Sequence, residues 1–291
     1  MSSKTDQTMR IGVLTDLHCE LSPTRARRWI NQYEPNHLEA RLREAGKRFA
    51  QEQVAAVLLL GDSTETADPA AFDHVLTWLK SAGHTVAAVG GNHDWEPSGA
   101  LEKVAARHSV LLAGHRPLIV DGLEIAGVEI EPQNGDRSVF HTAGFEVASR
   151  SLIILASHFP VVALADRLAA ARLPFPGDIT DRHQVAANLA RYGVPVVVLS
   201  GHIHTRLSEE SGRILQLTFG AMIEPPFDMA IVEINSGQQT VGVARWCYRL
   251  GPKAAVDPVL APEHEAWSWK SGRWFAHGGR RSRRSVNVGV M

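Results

Sequence analysis

"PVVVLSGHIH", residues 195–204, runs three consecutive valines and a leucine straight into Gly201, His202 and His204. The β-branched run reads as a strand buried on both faces, as in a parallel sheet covered by helices. Four other apolar runs end in a similar way. "RIGVLTD" (10–16) closes on Asp16 and "VAAVLLLGD" (54–62) on Asp62. "TVAAVGGNHD" (85–94) closes on Asn92, His93 and Asp94, and "SLIILASH" (151–158) on His158. Each has the length of a strand and is rich in Val, Ile, Leu or Ala.

Helical patterns separate these runs at 39–53, 68–83, 98–108 and 182–193. In 39–53, Leu42, Ala45 and Phe49 share one face, with charges on the other. The 68–83 pattern opens on Asp68-Pro69 and closes on Gly83, a cap pair. Strands alternating with helices indicate βαβ units. Beyond residue 205 the pattern turns antiparallel. Residues 206–220 read as a hairpin turning at Ser211-Gly212, and 229–250 as a second, turning between Asn235 and Gln238. Residues 117–130 read as a further β-ribbon. The expected organisation is a flexible N-terminus (1–9), one domain (10–250), a Pro/Trp-rich extension packing on it (251–275) and a mobile Arg-rich tail (276–291).

A chain of 291 residues with 44% apolar content can bury a full core. The formal net charge of −1 argues against coating nucleic acid through net charge. Two distant cysteines, Cys19 and Cys247, make neither a disulfide framework nor a cysteine zinc site. The polar start lacks a signal-peptide stretch, and no run reaches the roughly 20 apolar residues of a membrane helix. The expectation is a soluble, cytoplasmic protein; its oligomeric state is not legible.

Ligands of open α/β sheets bind beyond the carboxyl ends of the strands. Residues i and i+2 of an extended segment point to the same side, which pairs Asp16 with His18 and His202 with His204. Asp16, His18, Asp62, Asn92, His158, His202 and His204 offer only oxygen and imidazole donors, too many for one tetrahedral ion. Two metals sharing a carboxylate use all of them. Mixed N/O donors suit manganese, iron, zinc or nickel better than calcium or magnesium.

"DLH", "GDSTE", "GNHD", "SH" and "GHIH", in this order, resemble the signature of the calcineurin-like metallophosphoesterases, over residues 11 to about 249. The resemblance implies an α/β fold, a four-layer α/β/β/α sandwich of two mixed sheets flanked by helices, with a dinuclear centre at the strand ends. It implies one metal on Asp16, His18, Asp62 and His204, and another on Asp62, Asn92, His158 and His202, with Asp62 bridging. His93 would stand beside the metals and Asp94 would hydrogen-bond its ring. Glu65 is a departure, since the family often has the shorter Asp there.

The implied activity is hydrolysis of a small phosphodiester or phosphomonoester: a cyclic nucleotide, a nucleotide-like ester or a headgroup phosphate. A metal-bridging hydroxide attacks and His93 acts as general acid, because imidazole titrates near neutrality. Asn92 and His93 would also meet the substrate. Arg25, Arg27 and Arg28 either clamp its phosphate or form a solvated helix face. One alternative is a nuclease using the Arg-rich tail on DNA or RNA. Another is a non-catalytic scaffold on the same fold, which the complete ligand set argues against.

Overall fold

Both faces of the valine run are covered. Val197 and Leu199 face the space between two sheets, while Val196 and Val198 face helices on the outside. Ala56, Leu58 and Leu60 likewise alternate with Val57 and Leu59. Side chains that alternate across a strand buried on both sides produce an uninterrupted apolar run.

The computed structural model describes residues 7–22, 27–96, 98–112, 117–133, 137–141, 151–175, 177, 179–237 and 240–277. In chain order the strands are β1 (Gln7–Leu14), β2 (Ala56–Leu60), β3 (Val86–Val89), β4 (Leu111–Leu112), β5 (Leu118–Val120), β6 (Leu123–Gly127), β7 (Glu129–Gln133) and β8 (Arg137–His141). There follow β9 (Ile153–Ala156), β10 (Val196–Ser200), β11 (Leu207–Ser211), β12 (Ile214–Thr218), β13 (Asp228–Ser236), β14 (Val241–Arg249), β15 (His264–Lys270) and β16 (Arg273–His277). The helices are α1 (Leu38–Gln51), α2 (Pro69–Ser81), α3 (Ala100–Arg107), α4 (Ala165–Ala170) and α5 (Arg182–Arg191).

One sheet has the order β16-β15-β14-β13-β1-β2-β3-β4 and the other β11-β12-β10-β9-β6-β5; β7 and β8 form a separate ribbon. Both main sheets are mixed. β1 to β4 run parallel and β13 joins β1 antiparallel. In the second sheet β12, β10, β9 and β6 are parallel, with antiparallel edges. Helices α1 to α3 cover the first sheet with Leu42, Phe49, Phe72, Val75 and Val104. On the second sheet, α5 contributes Val185 and Leu189, and α4 closes a smaller cluster with Leu168. This is the four-layer α/β/β/α sandwich. α2 starts as its sequence indicates: the Asp68 carboxylate accepts from the Ala70 N–H at 2.9 Å.

The segment beyond residue 250 belongs to the main sheet. After the proline-interrupted stretch, β15 pairs with β14 and β16 with β15, antiparallel. Trp267 and Trp274 are each 3% exposed and join the core between the sheets. The Trp274 Nε1 donates to the Arg213 carbonyl at 2.9 Å. At the other end, β1 begins at Gln7, inside the segment expected to be flexible. β16 likewise takes in Ala276 and His277, the first two residues of the expected tail, while residues 1–6 and 278–291 lie outside the described residues. Among the described residues no helix is long and apolar enough to cross a membrane. Because Trp267 packs in the shared core, Trp267→Ala should cost about 3–5 kcal/mol of stability, measured by chemical denaturation.

Candidate metal centre

Residues from five strand ends meet where the two sheets face each other. Asp16 and His18 follow β1, Asp62 follows β2, and Asn92 and His93 follow β3. His158 follows β9, and His202 and His204 follow β10, in the other sheet. The loops are bonded together through their backbones. The Asp16 N–H donates to the Gly61 carbonyl at 3.1 Å and the His18 N–H to the Asp62 carbonyl at 2.9 Å. The Asp62 Oδ1 accepts the His93 N–H at 2.9 Å, and the Asp16 carboxylate accepts the His202 N–H at 3.2 Å, across the sheets.

Such close approach explains the glycines before Asn92 and His202. A Cβ at Gly91 would collide with the Asp62 backbone and carboxylate, and one at Gly201 with Thr15 and Asp16. The backbone also bends. Asp16, His18, Asp62, His202 and His204 have φ of 51°, 43°, 47°, 67° and 48°. Left-handed backbone costs an L-residue on the order of 1–2 kcal/mol, and Asp and His are among the residues that adopt it most readily. Asp16 and His18 come together in one cluster with His204, on left-handed rather than extended backbone, whereas His202 lies beside His158 and Phe159, with ring centroids 5.2 and 3.8 Å away. Leu17, between Asp16 and His18, and Ile203, between His202 and His204, are 0% exposed and sit in two separate apolar clusters.

The side chains crowd together. Asp62 Oδ2 lies 3.2 Å from His158 Nε2 and 3.7 Å from His18 Nε2. Asp16 Oδ1 lies 3.4 Å from His204 Nε2, and the Nε2 atoms of His18 and His204 are 3.3 Å apart. Asp16, His18 and His204 form one cluster that can hold a cation; Asp16, Asp62 and His158 form another. Three imidazoles are held from behind at Nδ1: His18 by Glu65 Oε2 at 2.6 Å, His204 by Glu224 Oε1 at 2.7 Å, and His158 by the Leu60 carbonyl at 2.8 Å. Each acceptor takes the Nδ1 proton and leaves Nε2 facing the centre. His158 Nε2 faces Asp62 Oδ2, while Asn92 Oδ1 and His202 Nε2 are buried without a hydrogen bond. Donors this costly to bury unpaired, in a mixed N/O set, fit two cations.

Burial, partly offset by Asp62, pulls the His18 imidazole down to about 4; burial and neighbouring His158 pull His202 down to about 3. Burial also opposes charge on His158 and His204, but carboxylates overcome it. Asp62 lifts His158 to about 9, and Asp16 with Glu224 lifts His204 to about 10. Against burial, His158 and His18 hold the Asp62 carboxyl well below the usual carboxylate range.

The sequence matches the calcineurin-like phosphoesterase family model over residues 9–206. The chain belongs to the calcineurin-like phosphoesterase family. Its fold is similar to that of a dimetal phosphatase from Danio rerio, with TM-score 0.57 and 14% identity over 81% of this chain and 95% of that one. It is also similar to a purple acid phosphatase from yellow lupin (Lupinus luteus), with TM-score 0.51 and 13% identity over 84% of this chain and 52% of that one. No curated protein matches the chain. As a calcineurin-like phosphoesterase the chain is a metal-dependent phosphoester hydrolase of a dinuclear family.

Within this calcineurin-like phosphoesterase, Asp94 is not where the resemblance puts it. Its carboxylate accepts from the N–H groups of Ser63, Thr64 and Gly91 at 3.0, 2.8 and 3.1 Å, and from the Thr64 hydroxyl at 3.0 Å. These donors use both its oxygens, so it clamps the loop after β2 to the loop after β3. The His93 Nδ1 instead meets the Glu65 carbonyl at 2.9 Å. Arg25 lies outside the described residues, and Arg28 is exposed without a described side-chain contact to the centre. Arg27 is the arginine that reaches it, through Glu65. Glu224 lies in the loop 224–228, which the sequence offers as a pocket rim, and Tyr33 in the stretch after the first motif; as a lone Glu before two prolines and a Tyr in an irregular stretch, neither has a spacing that ties it to a metal-binding histidine.

At pH 7 the elevated pKa values keep His158 and His204 protonated without metal, whereas His18 and His202 are already neutral. Ligation requires neutral imidazole. Loading two cations at pH 7 should therefore release about two protons, measured by titration calorimetry in buffers of different ionisation enthalpy.

Proposed function

We propose that this phosphoesterase hydrolyses a small phosphodiester or phosphomonoester, such as a cyclic nucleotide, a nucleotide-like ester or a headgroup phosphate, with His93 as proton donor. The observation that carries the reading is the division of the centre into sealed and open parts. Asp16, His18, Asp62, His158 and His204 are buried, while Asn92, His93 and His202 stay partly exposed. The open side holds an imidazole that none of the metal clusters around Asp16 needs.

Asp16, His18, Asp62 and His204 would hold one ion, and Asp62, Asn92, His158 and His202 the other; manganese, iron, zinc or nickel suits these donors. Such a pair of ions, when bound, neutralises phosphoryl oxygens and activates water for in-line attack. The residues supply the rest. Asp62 would be shared between the two ions, since its Oδ2 stands between His18 and His158. Asn92 brings a neutral oxygen, which limits negative charge around an anionic ester. His93, with Nδ1 on the Glu65 carbonyl, has Nε2 free to give a proton to the leaving oxygen. Loss of that proton leaves the Nδ1–H tautomer, which Glu65 already accepts. The free, buried thiols of Cys19 and Cys247 fit a cytoplasmic setting.

His93→Ala should keep both metals and slow turnover of alkyl phosphoesters by roughly 10²–10⁴-fold, with a much smaller loss on aryl esters, whose leaving groups need no proton. Unchanged alkyl-ester rates would remove His93 from the mechanism. Asp62→Ala should lose both metals and nearly all activity; metal analysis that still finds two ions would refute the bridge. A panel of phosphomonoesters, cyclic nucleotides, dinucleotides and single-stranded DNA, assayed with each metal, tests the substrate class. Preference for single-stranded DNA would overturn the small-ester reading.

A further inference from the structure

Residues 27–34 form an irregular strap across the Asp16, His18, His204 side of the centre. The Tyr33 N–H closes it onto the Arg27 carbonyl at 2.9 Å. The Tyr33 ring lies 5.1 Å from the His18 ring and 6.1 Å from the His204 ring, and the Trp29 ring lies 6.5 Å from His204. The strap is pinned at two carboxylates. Glu224, 0% exposed, accepts the Ile30 N–H at 3.2 Å and the Asn31 N–H at 2.8 Å. Glu65, 6% exposed, is bonded by the Arg27 guanidinium, which also reaches Glu20 at 3.1 Å. These carboxylates are the same two that hold His204 and His18 at Nδ1.

Among the described residues, no carboxylate backs the histidines of the other half of the centre at Nδ1. His158 is held by the Leu60 carbonyl of β2, and the His202 ring packs on Phe159 at 3.8 Å between centroids. A carboxylate behind a histidine makes it a stronger metal donor than a carbonyl does, and losing such a partner typically weakens binding about 10–100-fold. A buried carboxylate keeps that role only while its charge is balanced. His18, Glu65 and His93 form a third cluster with the spacing of a cation site. Arg27 is the cation found on it, so Glu65 stays free to serve His18.

We propose that Arg27 is a positioning residue through which the 27–34 strap sets the affinity of the metal position built on Asp16, His18 and His204, leaving the His158/His202 position unaffected. Given the dinuclear centre proposed above, the two positions differ in strength because, among the described residues, carboxylates back one of them alone.

Equilibrium dialysis against manganese(II), with metal analysis, measures both affinities directly, and thermal melts without metal check folding. Wild type should bind two equivalents. Arg27→Met should weaken one of them roughly 10–100-fold and leave the other within about twofold. Arg27→Lys, which keeps the charge beside Glu65, should recover most of the loss. In a Glu65→Gln background there is no charge left to balance, so Arg27→Met should add nothing. In a His158→Ala background, which removes the other position, the Arg27→Met loss should appear in the single remaining equivalent. Two unchanged equivalents in Arg27→Met, equal weakening of both, or an undiminished Arg27→Met effect in the Glu65→Gln background would overturn the proposal while leaving the dinuclear centre standing. Folded wild type that binds no manganese, zinc or nickel would overturn the centre and the proposal together.

Discussion

Asp16 and Asp62 are carboxylates of 0% and 2% exposure that stand among four imidazoles at the seam of two sheets. Burying charge costs several kcal/mol per ion unless partners surround it, and the partners cannot come from one segment. Asp62 is met by His158 from the opposite sheet, Asp16 by His204 and by the His202 N–H from that same sheet. The seam must therefore be narrow: glycine is demanded at 201, where Thr15 and Asp16 of the facing sheet leave no room for a Cβ, as it is at 91 against Asp62 of the neighbouring strand, and five of the donors stand on left-handed backbone. Two β-sheets packed face to face supply rigid banks from which loops can reach that point.

The strands and their polar ends were legible because they follow from periodicity: a strand covered on both faces must be apolar throughout, and polarity can return only where the cover ends. The α2 cap and the hairpin turn of β11 and β12 were legible for equally local reasons. The convergence of Asp16 with His18 was expected from the pleat of a strand, yet it arises from left-handed turns.

What stayed hidden depends on contacts between distant segments. Asp94 sits beside His93 in the chain, but three backbone N–H groups claim its oxygens. Glu65, one methylene longer than the family's usual residue, touches His18 and Arg27 and lies 3.6 Å from His93. Glu224 is separated from His204 and from Asn31 by stretches that no local pattern connects. The last two strands were concealed by the prolines at 252, 258 and 262, which mark an irregular crossing and say nothing of the hairpin after it.

The left-handed backbone has an evolutionary corollary. At residues 16, 18, 62, 202 and 204 glycine would relax the main chain, yet four of these side chains also hold the fold: Asp16 and Asp62 accept the His202 and His93 N–H groups, and His18 and His204 pair the buried Glu65 and Glu224. A lineage relieved of the chemistry would find drift toward glycine open at residue 202, whose Nε2 has no hydrogen bond, before the other four. Descendants that lost the other four would have to replace those partners as well, so their history would show in the surroundings of Glu65 and Glu224.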